Sequence, residues 1–342
     1  MKVAIIDSSE EIGQAICERL GRETDFLIKH YQVGDIENFL DKLRSDLPDV
    51  LVLDVDLPHL ASHEIISDIM KHYPIPIIIT CYPTQKGKLG VVQAMELGAI
   101  DFVTKPTSYF PSYLDDFIPK LIEKINLAEK VNIEVMKKAI DGKINFVVPK
   151  SKRKFKKKAI VIGVDNAALE VFRRLVAVVP KNFPTVLAVL DIPAGYTKLF
   201  ADRLNEISEL TVKEANEKDT MTPGTVLIAP GDFHMKLNKI TGEPFIELSL
   251  SQKVNNKRPS VDVLMMSVAE ILGPEAIGIL ASGYGEDGIV GLKSMKMAGA
   301  DTIIINPKTA ILSERLEKAE DFSSYTHKVD FVDFPNLLVQ LI

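Results

Sequence analysis

No segment of this 342-residue chain is apolar over the ~18 residues a membrane-crossing helix needs, so no membrane span is expected. The amino terminus, MKVAIIDSSEE, offers one lysine and an apolar run that stops at Asp7, too short for a secretory signal. Cysteine is scarce. Cys17 and Cys81 lie far apart, and Cys17 falls on an apolar helical stripe, which argues against a disulfide framework. Positive charge is not in excess either, since the net charge of −6 gives no global signal for nucleic acid. Together these absences imply a cytoplasmic protein with reduced thiols. What remains, 46% hydrophobic and 26% charged, is an ordinary globular composition, long enough for two domains.

The first 125 or so residues alternate strand and helix signals. KVAII, FLIKHY, VLVLD, PIIIT and DFVTKP read as strands. Between them lie helical patterns: Ile12, Ala15, Ile16 and Leu20, then residues around 36–43, Ser62 to Met70, and Gly87 to Leu97. Ser8 with Glu11 resembles a capping box for the first helix. Five βα units predict a doubly wound parallel sheet, whose ligand sites lie beyond the carboxyl ends of the strands. A helix over about 112–139 leads out of this domain. KSKRKFKKK (150–158) follows, with seven basic residues in nine. It reads as a solvated linker first, as a dock for an acidic partner second, and as a nucleic-acid contact last. The second half repeats the α/β pattern. KKAIVIGV, TVLAVL, VLIAP, FIELSL, AIGILAS and DTIIIN read as strands. Helices are expected over Ala167 to Val178, along a Leu199–Leu204–Ile207 stripe, over Ser260 to Leu272 and over Gly288 to Met297. There is no internal repeat. The expected division is 1–125, a connecting helix and basic linker over 126–157, and 158–342. The expected fold class is two doubly wound, mainly parallel-sheet α/β domains.

Asp7 ends the first strand, Asp54 the third and Lys105 the fifth, so the fold brings them to one edge of the sheet. Two carboxylates this close call for a hard divalent cation such as Mg2+. A carboxylate beside that cation and a lysine is arranged to attack a phosphoryl donor. This part resembles the receiver domain of two-component response regulators. The resemblance implies that Asp54 is the phosphoacceptor, that Lys105 contacts the phosphoryl group, and that Asp7 and Asp54 hold Mg2+. Phe102 fits the aromatic switch position, and Cys81, with Thr80 before it, falls where the responding Ser or Thr is expected. Ser8 replaces the second acid of the usual pair, which predicts weaker Mg2+ binding. Ala61-Ser62 replaces the usual Asp-Gly. The domain is then either phosphorylated on Asp54 or kept as a fixed docking module.

IPAGYTKLFADRLN (192–205), VLIAPGDFHM (226–235), KRPSVDVLMMSVAE (257–270) and GYGEDGIVGLKSM (283–295) resemble the catalytic domain of CheB-type chemotaxis methylesterases, which carry a receiver in front. The resemblance covers nearly the whole chain. It implies a catalytic triad at Asp165, Asp191 and Asp287, in a bacterial chemotaxis pathway with a sensor histidine kinase and methyl-accepting receptors as partners. Two of the three positions depart from the family. Asp165, in Ile162-Gly163-Val164-Asp165-Asn166-Ala167-Ala168, stands where the family has its serine, and Asp191 where it has its histidine. Asp287 keeps the family's aspartate. The late G-M-P segment is absent, and residues 309–316 read TAILSERL. Acyl transfer needs a nucleophile, a base and a group orienting the base, and losing the serine or histidine of such a triad costs roughly 10⁶ in rate. Ala167 and Ala168 replace the two glycines after the serine and crowd the approach to an oxyanion. His234 lies in a family motif but reads as structural, and Ser282 has no evident base.

The leading expectation is therefore a CheB-like response regulator without esterase activity, acting as a binding or regulatory module. One alternative is an active receptor methylesterase and glutamine deamidase. The other is a divalent-metal-binding regulator, in which Asp165, Asp191 and Asp287 converge on Ca2+ or Mg2+ with Glu286 and Asn166 nearby.

Overall fold

The computed structural model describes residues 1–32, 40–41, 46–57, 62–107, 113–140 and 155–342. The expected helix around 36–43, Ala61 and the first part of the basic run lie largely or wholly outside these. The chain forms two compact units, Met1–Ile140 and Asp141–Ile342.

In the first unit five strands, β1 (Lys2–Ile6), β2 (Leu27–Tyr31), β3 (Val50–Asp54), β4 (Ile77–Cys81) and β5 (Asp101–Thr104), form one sheet in the order β2-β1-β3-β4-β5. All its pairings are parallel. β3 and β4 are buried at every residue, which is why they read as unbroken apolar runs. Helices α1 (Glu10–Glu23), α2 (Ser62–His72) and α3 (Gln85–Glu96) form the crossovers among the described residues. Ser9, not Ser8, caps α1: its hydroxyl accepts from the Ile12 amide, while Ser8 turns to Asp54. The helix expected over 112–139 is two helices, α4 (Tyr113–Ala128) and α5 (Ile133–Ile140). The chain turns between them through bonds from the Lys130 and Val131 amides to Leu127 and Ala128, and Asn132 accepts from the Val135 amide to start α5.

The second unit is built on seven parallel strands, β6 (Ala159–Val164), β7 (Thr185–Leu190), β8 (Thr211–Glu214), β9 (Thr225–Ile228), β12 (Ala276–Leu280), β13 (Asp301–Ile305) and β14 (His327–Val329). Their order is β14-β13-β12-β6-β7-β9-β8. FIELSL is not part of this sheet. It forms β11 (Phe245–Ser249), paired antiparallel with β10 (His234–Asn238) as a separate hairpin. The helices are α6 (Leu169–Val178), α7 (Thr197–Ile207), α8 (Val261–Leu272), α9 (Ile289–Met297), α10 (Glu314–Asp321) and α11 (Phe334–Leu341). A short 3-10 turn, Asn166–Ala168, precedes α6. α7 buries Thr197, Phe200, Ala201 and Leu204, so its inner stripe is set one residue away from the expected Leu199 and Ile207. Phe172, Phe183 and Phe334 are among the largest fully buried side chains, each contributing about 3 kcal/mol by removal from water.

Candidate functional site

The first unit brings Asp7, Asp54 and Lys105 together at the carboxyl edge of its sheet. All three are buried. The Lys105 ammonium donates to Asp7 Oδ2 at 2.6 Å and to Asp54 Oδ2 at 2.9 Å. The Ser8 hydroxyl and amide both donate to Asp54 Oδ2, and the Asp56 amide to Asp54 Oδ1 at 3.0 Å. Burial pushes the Asp7 carboxyl up, with Lys105 pulling it back and Asp54 adding to the rise. Burial alone would lower the Lys105 ammonium, but Asp54 and Asp7 outweigh it and hold the amine charged. The donor set suits a hard divalent cation: buried carboxylate oxygens from Asp7 and Asp54, with the Ser8 hydroxyl beside them.

The strand register separates the two residues expected near the phosphoryl position. Asp54 pairs with Thr80, so Thr80 lies on the same side of the sheet as Asp54 and Cys81 on the other. The Thr80 hydroxyl is buried and has no hydrogen-bond partner among the described residues. Cys81 is buried, and its carbonyl accepts from the Lys105 amide. The register thus puts Thr80, the residue before Cys81, on the face of β4 that Asp54 shares. Phe102, next along β5, is buried.

In the second unit Asp165 follows β6, Asp191 follows β7 and Asp287 lies in the loop after β12, all at the carboxyl edge of the sheet. Each carboxylate turns to donors of its own. Asp165 is 1% exposed; its Oδ1 accepts from the Ala168 amide at 2.9 Å and its Oδ2 from the Ser282 hydroxyl at 3.0 Å. Burial pushes the Asp165 carboxyl up to about 6, with the Arg315 guanidinium the strongest opposing influence. Asp191 accepts from the Lys257 ammonium at 2.6 Å, and that ammonium also sits 5.2 Å above the Tyr284 ring. Asp287 holds the start of α8: its Oδ1 accepts from the Ser260 hydroxyl at 2.6 Å, and its Oδ2 from the Val261 amide at 2.9 Å. Asp262, in the first turn of α8, in turn accepts from the Gly291 amide of α9 at 2.6 Å. The two helix starts thus cap each other.

The expected convergence of Asp165, Asp191 and Asp287 on Ca2+ or Mg2+ is not formed. Among the described residues no three His, Cys, Asp or Glu side chains are grouped to hold a metal ion. The physical reason is that hydrogen bonds from Ser282, Lys257 and Ser260 already satisfy the carboxylates that a cation would need. Glu286 is drawn to Lys318 at 3.4 Å.

Among the described residues no serine hydrogen-bonds to a histidine either. His234 is buried and directs Nε2 to the Gln252 carbonyl, and His327 lies against Asp301. The Ala168 amide, a candidate oxyanion donor, is taken by Asp165 itself. Lys257, Ser260, Ser282 and Arg315 are the partners that the sequence did not point to. Arg315 had one signal, its place in the segment where the family's late motif is absent. It is 3% exposed, and its guanidinium donates to the Tyr284 carbonyl at 3.0 Å. Gly283 makes room for it: φ is +133°, and a Cβ there would lie 2.7 Å from Arg315 Cζ.

Residues 160–323 match the CheB methylesterase family, and residues 3–109 match the response regulator receiver domain. The protein-glutamate methylesterase/protein-glutamine glutaminase of Syntrophotalea carbinolica is 35% identical over 88% of this chain and 86% of its own. That of Sulfurimonas denitrificans is 33% identical over 97% and 95%. The crystal structure of the Thermotoga maritima CheB methylesterase catalytic domain is 33% identical, with a TM-score of 0.52, and covers 55% of this chain and all of that one.

Proposed function

The chain belongs to the CheB methylesterase family of chemotaxis response regulators, and from that premise we propose that it has lost the esterase and acts as a phosphorylation-responsive binding module. One observation carries this reading. The residue at the nucleophile position is an aspartate, 1% exposed, with both carboxylate oxygens already accepting hydrogen bonds. A carboxylate in place of the serine hydroxyl offers no O–H for a base to deprotonate at neutral pH, which acyl transfer by a triad requires. Asp191, at the base position, is tied to Lys257 and cannot shuttle a proton as an imidazole would. The division 1–125, 126–157 and 158–342 assigns these roles to a receiver, a connection and a methylesterase-like domain. No described helix is long and apolar enough to cross a membrane. A cytoplasmic location, with a sensor histidine kinase and methyl-accepting receptors as partners, follows from the family reading.

In the receiver an Asp54 oxygen attacks the phosphorus of a phosphoryl donor, and the bond from phosphorus to the leaving oxygen breaks. Lys105 stays beside the new acyl phosphate as its cation, and the partnerless Thr80 hydroxyl supplies a donor to a phosphoryl oxygen. Asp7 and Asp54 would hold Mg2+, which when bound would supply charge neutralisation at the phosphoryl oxygens. Phe102 is the residue that would respond through packing. Acetyl phosphate at millimolar Mg2+ is expected to label the chain and not its Asp54→Asn variant; no labelling of the native chain would leave the receiver as a fixed docking module.

The test of the lost esterase is methanol release from methylated receptor membranes by the full chain, with and without beryllofluoride. An active family esterase serves as control, beside an Asp165→Ser, Asp191→His double variant. No release by the native chain, with partial release by the double variant, is expected. A second reading, an active methylesterase and glutaminase, draws on the names of the relatives and on the Ser282 hydroxyl bonded to Asp165. Native release that Ser282→Ala abolishes would establish it.

A further inference from the structure

The hairpin β10–β11 stands apart from the sheet of the second unit, and the methylesterase reading gives it no task. Its turn forms one wall of a cleft of about 730 Å³ at the opposite edge of that sheet from Asp165, where β6 and β7 begin. That volume falls within the ~300–1,000 Å³ typical of small-molecule sites. We propose that this cleft binds a small organic anion, a carboxylate or phosphate carried on an aromatic or aliphatic body.

Charge and shape support this from independent directions. Four lysines line the cleft against two glutamates. Lys158 is held by Glu275 at 2.9 Å and Lys157 by Asp301 at 2.6 Å. Lys156, from the end of the basic run, and Lys239, from the hairpin turn, have no hydrogen-bond or ion-pair partner among the described residues. They come from segments 80 or so positions apart, so the fold and not local sequence gathers them around one space. The apolar part of the lining comes from Phe155, Met221, Ile271 and Leu272. Phe155 is fixed edge-on against the fully buried Phe183, with centroids 5.9 Å apart. The third sign is a buried hydroxyl. Thr185, the first residue of β7, lines the cleft and is 1% exposed, and its hydroxyl has no partner among the described residues. A buried hydroxyl without a partner is uncommon enough to need a reason, and a ligand oxygen supplies one. An exposed lysine alone is an ordinary solvated charge. Two uncommitted lysines, apolar lining and an unsatisfied hydroxyl around one cleft make a site that neutral or purely polar molecules would fill poorly.

The experiment uses the full chain and three probes that share one ring system: 2-naphthoate, 2-naphthyl phosphate and neutral 2-naphthalenemethanol, followed by calorimetry. One or both anions are expected to bind with 1:1 stoichiometry, and which of them binds more tightly identifies the head group. The alcohol is expected to bind about tenfold more weakly or not at all, and a Lys156→Gln, Lys239→Gln double variant to lose about tenfold in anion affinity. Both lysines are exposed, so the variant's melting temperature without ligand should match the native chain. Thr185→Val tests the hydroxyl separately, with weaker anion binding expected at unchanged alcohol binding. Asp54→Asn should leave 2-naphthyl phosphate binding intact, which excludes the receiver as its site. No anion binding at millimolar concentration, equal affinity for the alcohol, or equal affinity in the double lysine variant would each overturn the proposal.

Discussion

Both units bury carboxylates beyond the carboxyl ends of parallel strands, but they arrange them in opposite ways. In the first unit two acids share one lysine, and Asp54 Oδ2 receives Ser8 and Lys105 together. In the second unit three acids have three separate sets of donors. The shared arrangement concentrates charge at one point, with a cation already in place beside both acids. The separated arrangement spends each carboxylate on holding backbone or a neighbouring side chain. A cluster of acids in a sequence motif therefore does not define a metal or reaction site until the direction of each carboxylate is known.

The contrast can be broken or sharpened by substitution, read by urea unfolding of the unit that carries the change. Lys105→Met should have the largest effect, about 4 kcal/mol, because it strands two buried carboxylates that share no other cation among the described residues. A small effect would mean that the two acids are not truly coupled. Asp287→Ala should cost about 3 kcal/mol, since it removes the cap of α8 and leaves the Ser260 hydroxyl buried without its acceptor. Asp287→Asn should recover part of that loss, as a cap would and a catalytic carboxylate would not.

Asp165→Asn should act through pH. The folded carboxyl titrates near 6, above the ~3.9 of an unfolded chain, so folding favours its protonated form. That contribution is complete below about pH 4 and is lost as pH rises through about 6. The native chain should therefore lose up to about 3 kcal/mol relative to Asp165→Asn between those limits. Parallel pH curves for the two proteins would show that the carboxyl titrates normally. Lys257→Met should have the smallest effect, below about 1 kcal/mol, because Lys257 and Asp191 are 29% and 26% exposed and water screens their attraction.

Much of the fold was legible because parallel strands covered on both faces are continuous apolar words: VLVLD and TVLAVL are strands over their full length. The elements not read are those without such words. β8 is a four-residue edge strand with a mixed burial pattern, β14 has three residues, and α10 is ERLEKAED. The break between α4 and α5 is a tertiary choice within a sequence that suits a continuous helix. The site positions were legible from motifs, whereas their partners were not. Ser282 lies 117 positions from Asp165, and Lys257 lies 66 from Asp191. Nothing local in KRPS or LASG marks either residue as a donor to an acid in another loop. The Thr80 side of β4 became readable only through the register with β3.

The reciprocal caps of Asp287 and Asp262 imply an asymmetry in how such a protein can shed its chemistry. On the reading proposed above, a triad serine or histidine can be exchanged and the loop around it re-bonded, and Asp165 and Asp191 each have donors of their own. Asp287 has no such freedom, because it anchors the first turn of one helix while that helix anchors the next. A lineage drifting away from hydrolysis would find two of the three positions cheap to overwrite and the third held fast by folding. An intact aspartate in the G-x-G-x-D-G loop is therefore a poor witness to activity.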